Sequence, residues 1–187
     1  MEVSTEYISA ACNQVPHSLA LNKNNRSLIY GASNTIVQVE IQHDRMVAKK
    51  CVLGHTDRVN CVRWINDKCF VSGSTDKKVC IWENYKLMQT LSGHQGSVTV
   101  VDGLFDLGII VSASTDSTMK IWKRQTTDNW TCIQTYPCPS NGFVLDIALL
   151  AFPDNSLWIF ASLDDCSVRL FSIFQEQFLE SHVLKGN

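Results

Sequence analysis

The chain contains no apolar run approaching the roughly 20 residues that a membrane-spanning helix needs. Its first residues carry no basic region followed by a long apolar stretch. Neither a membrane span nor a signal peptide is expected. Net charge is also scarce, at −2 at pH 7, which argues against a strongly basic nucleic-acid surface and against a polybasic membrane anchor. A Gly-rich phosphate loop is missing, and so is the GxSxG elbow of acyl-transfer enzymes. Eight cysteines are present, but no two form a CxxC pair. Most lie in apolar text such as NCVRW (60–64) and KVCIW (78–82). That spacing predicts neither zinc nor disulfides. Reduced thiols packed as small hydrophobes are expected instead, with no cofactor.

What the chain does have is a phrase written twice. VSGSTDKKVCIW (71–82) returns as VSASTDSTMKIW (111–122), 40 residues on. Gly54-His55 and Gly93-His94 stand 39 residues apart. A weaker copy, ASLDDCSVRLF (161–171), puts Asp165 in the place of the Asp and Phe171 in the place of the Trp. It lacks Gly-His and has Asn141-Gly142 near where its first strand should begin. The most worn copy, SLIYGASNTIVQVE (27–40), has Asn34 in or near the Asp position and no Trp. Within each copy, short β-branched and aromatic segments alternate with polar turns, as in RVNCVRWI (58–65), KCFVSGS (68–74), KVCIW and KLMQTL (86–91). No segment keeps a 3.6-residue apolar period long enough for a helix of ten residues. Four short strands in a unit of about 40 residues predict an all-β propeller segment built from four-stranded antiparallel blades.

The Gly-His pair, the turn Asp about 21 residues later and the apolar-Trp ending resemble the WD-repeat family over nearly the whole chain from about residue 15. The boundaries read as a lead-in over 1–14, blades over 15–53, 54–92, 93–139 and 140–187, the first and last degenerate. The resemblance implies a polar relay inside each blade: His55–Ser72–Asp76–Trp82 and His94–Ser112–Asp116–Trp122. The chemistry is consistent with it. A carboxylate accepts from turn N–H groups and an imidazole, the imidazole's other nitrogen accepts from Ser, and the Ser oxygen accepts the indole N–H. His, Ser and Asp recurring together also suggest a catalytic triad, but they recur once per repeat where the family carries a structural relay. No catalytic or metal residue is therefore expected, and Asp165 and Phe171 are expected to play weaker structural parts.

Three further stretches narrow the resemblance. LGHTDRVNCVRW (53–64), SNGFVLDIAL (140–149), and DDCSVRLF (164–171) followed by EQF (176–178) look like the N-terminal part of the Elongator complex protein 2 family of WD-repeat subunits. That family is several times longer, with two propellers. The closing HVLKGN puts Asn187 where the His of another blade would begin, which suggests a truncated or fragment form. Four blades out of seven predict an open arc with an uncovered apolar face of several hundred Å² at each end. Closure into a four-bladed ring is the alternative.

The resemblance implies a non-catalytic scaffold, cytoplasmic and also nuclear. Its partners would be the large scaffold subunit and the catalytic subunit of Elongator, together with the remaining blades of its own propeller in a longer form. The function served would be modification of wobble uridines in tRNA, with direct nucleic-acid contact weak or absent. Phe174 and Phe178 are the candidate interface aromatics. The basic pairs Lys49-Lys50, Lys77-Lys78 and Lys123-Arg124 read as solvated turn residues, and Asp164 as solvated beside a turn-capping Asp165. The competing readings are an adaptor of another complex, such as a ligase substrate receptor, and a direct tRNA-binding module.

Overall fold

The computed structural model describes residues 12–42, 45–126, 129–154, 156–174 and 177–185. Gly186-Asn187 lies outside the described residues, as does the side chain of Phe174. Among the described residues, sixteen strands form four sheets, each a meander of four consecutive antiparallel strands. The first sheet holds β1 (Leu19–Asn22), β2 (Ser27–Ala32), β3 (Thr35–Gln42) and β4 (Arg45–Leu53). The second holds β5 (Val59–Trp64), β6 (Cys69–Ser74), β7 (Lys78–Glu83) and β8 (Lys86–Ser92). The third holds β9 (Val98–Leu104), β10 (Ile109–Ser114), β11 (Thr118–Thr126) and β12 (Asn129–Pro137). After a single 3₁₀ turn at Pro139–Asn141, the fourth holds β13 (Val144–Ala151), β14 (Leu157–Leu163), β15 (Ser167–Phe174) and β16 (Gln177–Lys185). The architecture is a four-bladed propeller segment, all-β as the spacing predicts.

Each sheet is apolar on both faces, so no sheet is covered until it stacks on a neighbour. Ala20, Ile29 and Ile36 of sheet 1 pack on Val59, Phe70 and Trp82 of sheet 2. Val71, Val79 and Ile81 of sheet 2 pack on Val101, Ile110 and Trp122 of sheet 3. Val111, Met119 and Ile121 of sheet 3 pack on Ile147, Ile159 and Phe171 of sheet 4. Sheets 2 and 3 thus each have a forward face toward the next sheet and a rear face toward the previous one. Among the described residues no apolar cluster joins sheet 4 back to sheet 1, so the segment is an open arc.

The first strand of each sheet lies innermost, and polar links cross the axis there. His17, in the lead-in, accepts the Val62 N–H on its carbonyl at 2.9 Å and donates from its ring to Leu145 O at 3.2 Å. Arg63 and Asp146 approach to 3.8 Å. Asp102 accepts the N–H groups of Gly103 and Leu149, and its burial pushes its carboxyl above the usual carboxylate value despite those bonds.

The second, third and fourth sheets share one hairpin geometry between their middle strands. The residue after the turn carboxylate sits in the left-handed region, at φ 71° for Lys77, 62° for Ser117 and 60° for Cys166. A side chain there costs about 1 kcal/mol or more. The preceding Asp offsets that strain by accepting from the N–H two residues on: Lys78, Thr118 and Ser167. In sheet 1 only Ser33 and Asn34 separate the paired Ala32 and Thr35. That turn is one residue shorter, so Asn34 has no counterpart of the Asp geometry and instead donates from its side-chain amide to His55 O at 3.4 Å.

Candidate functional site

The structure brings His55, Ser72, Asp76 and Trp82 together in the interior of sheet 2. The Trp82 indole donates to Ser72 Oγ at 2.8 Å. Ser72 Oγ lies 2.8 Å from His55 Nε2, and His55 Nδ1 lies 2.9 Å from Asp76 Oδ2. In sheet 3 the Trp122–Ser112 and Ser112–His94 bonds are also 2.8 Å, and His94 reaches Asp116 at 3.1 Å. One protonation pattern satisfies every member. The indole donates to Ser, Ser donates to a neutral imidazole, and the imidazole donates to an ionised carboxylate. Each Asp also accepts an N–H from the loop that follows the His, that of Thr56 or Gln95. All four polar groups are spent on one another, and the glycine before each His closes the site. A Cβ on Gly54 would sit 2.5 Å from the far edge of the Trp82 ring, and one on Gly93 would sit 3.3 Å from that of Trp122. The Gly-His pair thus makes room for the ring and supplies the imidazole. Nothing in the relay is open to a substrate.

Burial holds both imidazoles below the ordinary value of about 6.5, against the opposing pull of Asp76 and Asp116. For Asp116, burial alone would raise the carboxyl, but bonds from Thr118, the Gln95 N–H and His94 outweigh it and bring the value to about 2. Asp76 is lowered in the same way, by Thr56, His55 and Lys78. The imidazoles are neutral in the fold and titrate normally when unfolded, so the unfolded chain takes up protons first. The histidine contribution is complete above about pH 6.5 and falls away as pH drops toward the depressed folded values. The carboxylate contribution persists below that and is lost only as pH falls through the lowered Asp values. Unfolding followed by circular dichroism between pH 8 and pH 5 should show stability declining below about pH 6.5. In the His55→Gln/His94→Gln double variant that decline should be shallower, and an unchanged slope would assign it to other groups.

Sheet 4 is built differently. Asp165 accepts the Ser167 N–H and hydroxyl, while Asp164 accepts the Phe143 N–H at 3.0 Å. Asp76 and Asp116 each hold both the turn and the loop; in sheet 4 two neighbouring carboxylates divide those bonds. Asp164 is exposed, as expected from sequence, and it also tethers the loop. In the place of His and Trp, Arg169 reaches Glu180 at 2.8 Å, Asp165 at 3.4 Å and the Tyr136 hydroxyl at 3.4 Å. Tyr136, from sheet 3, donates to Glu180. Burial, and then the bond to Glu180, push its hydroxyl up to about 12. Phe171 is buried against the Tyr136 ring, centroid to centroid 4.9 Å.

Phe178 corrects another expectation. It is 3% exposed and packed in the cluster between sheets 3 and 4, so it is core and not an exposed interface anchor. Nor is Arg124 a solvated turn residue, since its guanidinium lies 4.3 Å over the Phe105 ring and 5.7 Å from that of Trp130.

A rim device went unread in the sequence. The Gln89 amide on β8 donates to Trp130 O at 2.9 Å and accepts Trp130 N–H at 2.8 Å. Gln134 on β12 grips Phe178 O and N–H at 2.6 and 2.9 Å. Each glutamine clamps the outer strand of the next sheet, and both stand in a QT pair, Gln89-Thr90 and Gln134-Thr135. That repeat was the available signal. Ser74 and Ser114, which accept the N–H of the turn Asp, were likewise repeated and passed over.

Comparison with known families gives the decisive match. The profile described as "WD domain, G-beta repeat" matches residues 48–83, 85–123 and 130–172. The chain belongs to the WD-repeat family. Each matched span of this WD-repeat chain starts on or beside the outermost strand of one sheet and ends in the third strand of the next. Among individual proteins, the chain is 30% identical to "Elongator complex protein 2" of Mus musculus, over 100% of this chain and 24% of that protein. It is 30% identical to "Elongator complex protein 2" of Drosophila melanogaster, over 100% of this chain and 26% of that protein. It is 34% identical to "Nuclear distribution protein nudF" of Aspergillus flavus, but over only 64% of this chain. The chain thus spans about a quarter of the length of the Elongator relatives it matches.

Proposed function

We propose that this WD-repeat chain is a non-catalytic protein-interaction scaffold of the Elongator assembly. In this reading it helps hold the large scaffold subunit and the catalytic subunit for modification of wobble uridines in tRNA, in the cytoplasm and also the nucleus. The observation that carries the reading is the extent of the similarity. The two Elongator relatives align along the whole chain, whereas the nudF relative aligns along part of it. The site chemistry supports the non-catalytic half. The His–Ser–Asp sets are buried and satisfied by the fold. The rigid rim offers surface for partners, with Leu87, Met88 and Ile133 exposed on the outer strands β8 and β12.

The test is co-purification. A tagged form of this 187-residue chain is co-expressed with the large scaffold and catalytic subunits of Elongator. Recovery of both is expected, and recovery of neither overturns the reading. Filter binding of tRNA at increasing salt addresses the nucleic-acid alternative: no retention is expected at moderate salt, whereas a steep salt slope would favour direct binding.

A further inference from the structure

Asn141-Gly142 stands just before the inner strand of sheet 4, where sheets 2 and 3 carry Gly-His. Each of the two residues is there for a reason of the fold. Asn141 sits in the left-handed region at φ 55°, which Asn tolerates better than most residues with a side chain. Its carbonyl accepts the Ser117 hydroxyl at 2.8 Å, and that bond ties the loop to the hairpin turn of sheet 3. Gly142 lies against Asp164. A Cβ there would collide with the carboxylate that holds the Phe143 N–H. The loop tether of sheet 4 therefore excludes a side chain at 142.

Together these two demands create a chemically weak point. A glycine nitrogen is the least shielded nucleophile that can follow an asparagine, because no Cβ obstructs its approach to the carboxamide. The carboxamide of Asn141 is exposed, and among the described residues no hydrogen bond holds it away. Other asparagines differ on one count or the other. The side-chain amides of Asn13, Asn22, Asn25 and Asn60 are engaged in hydrogen bonds. Asn84 and Asn129 are followed by the bulky Tyr85 and Trp130.

We propose that Asn141-Gly142 is a site of spontaneous covalent modification, at which the Gly142 nitrogen closes on the Asn141 side chain and the isoaspartate that results releases the loop tethered by Asp164. The Gly142 nitrogen forms a bond to Asn141 Cγ, and the bond from Cγ to the side-chain nitrogen breaks. The Gly142 proton passes through water to the leaving nitrogen, which departs as ammonia. Water then opens the cyclic imide. Opening at the side-chain carbonyl gives an aspartate at this position, and opening at the main-chain carbonyl gives isoaspartate. The second product inserts a methylene into the backbone and turns the carbonyl that Ser117 binds into a free carboxylate. The loop then no longer spans the Ser117 and Asp164 contacts at its original length. The Gly142 N–H donates to Pro139 O at 2.9 Å, so the turn must open before the nitrogen attacks, and that opening sets the pace.

The test ages the intact 187-residue chain at mildly alkaline pH and body temperature, then digests it and weighs the peptides. The peptide spanning Asn141 should gain the mass of an amide-to-acid exchange before any other described asparagine does, and isoaspartyl methyltransferase should label it. Amide hydrogen exchange at Phe143 should quicken in the aged fraction, because its N–H loses Asp164. Asn141→Gln, its folding checked by circular dichroism, should slow the change at this peptide roughly a hundredfold, since one more methylene carries the carboxamide away from the nitrogen. Ageing the parent at mildly acidic pH serves if that variant does not fold, and it too should slow the change, because the attacking nitrogen keeps its proton. A peptide that stays unmodified, earlier modification at another described asparagine, a variant or an acidic sample that ages at the parent rate, or unchanged exchange at Phe143 would each overturn the proposal.

Discussion

Trp82→Ala should remove about 3–5 kcal/mol of stability, among the largest losses a single substitution can produce. The indole is 1% exposed, stacks on Phe70 at 5.6 Å with 10° between the planes, and donates to Ser72. Gly54 lies against its far edge. Removing it opens a cavity in the junction between sheets 1 and 2, leaves Gly54 facing empty space and takes a donor from the relay. For a chain of this length the loss corresponds to a fall in Tm of roughly 10 °C. Trp82→Phe separates the two contributions, since it keeps an apolar ring beside Phe70 and loses only the N–H and part of the volume. It should cost about 1–2 kcal/mol. Chemical denaturation of both variants measures the difference. If the two lose equally, the hydrogen bond and not the packing dominates.

Arg169→Ala should cost about 2–4 kcal/mol, by a different route. The guanidinium stands at the centre of a set that takes in Glu180 on β16, Asp165 in the turn and Tyr136 on the neighbouring sheet. Its deletion leaves Glu180 with the Tyr136 hydroxyl and no cation. The raised pKa of Arg169, due first to the bond it donates to Glu180 and then opposed by burial, has the direction that pairing requires. Arg169→Met supplies apolar volume without charge. It should cost less than the alanine, because its stem restores part of the buried apolar volume of the arginine. Urea titration of both variants, monitored by tryptophan fluorescence, checks this order. An alanine variant as stable as the parent would mean that water and Ser167 replace the arginine without penalty.

The relays of sheets 2 and 3 were legible because identical residue types recur at fixed offsets, and only a fold that reuses one clamp has reason to write Gly-His, Ser, Asp and Trp in that order twice. The strands between them were legible from alternation and turn residues. Sheet 4 was less so. Arg169, Tyr136 and Glu180 lie in three different strands and occur once, so no period announces them. The Asp164-Asp165 pair reads as one cap and one spare until the loop carrying Phe143 is seen to fold over it. Phe178 illustrates a further limit. Alternation identifies an apolar position, but both faces of a stacked sheet are apolar, so the pattern does not say whether an aromatic meets the next sheet or a partner. Asn34 was placed by analogy with the Asp, and a turn shorter by one residue undid the analogy.

The phase difference between the repeat in the sequence and the sheet in space has a mechanical consequence. Because each matched span opens at the outer strand of one sheet and supplies three strands to the next, the units overlap as roof tiles do. No unit can be lifted out as a finished blade: taking one away strips the edge from the tile behind it and the body from the tile ahead. Addition or loss of a unit by recombination at its sequence borders would therefore carry an inter-blade joint along with it. The joints would be inherited ready-made, which is how a chain can vary its number of blades without inventing a new interface each time.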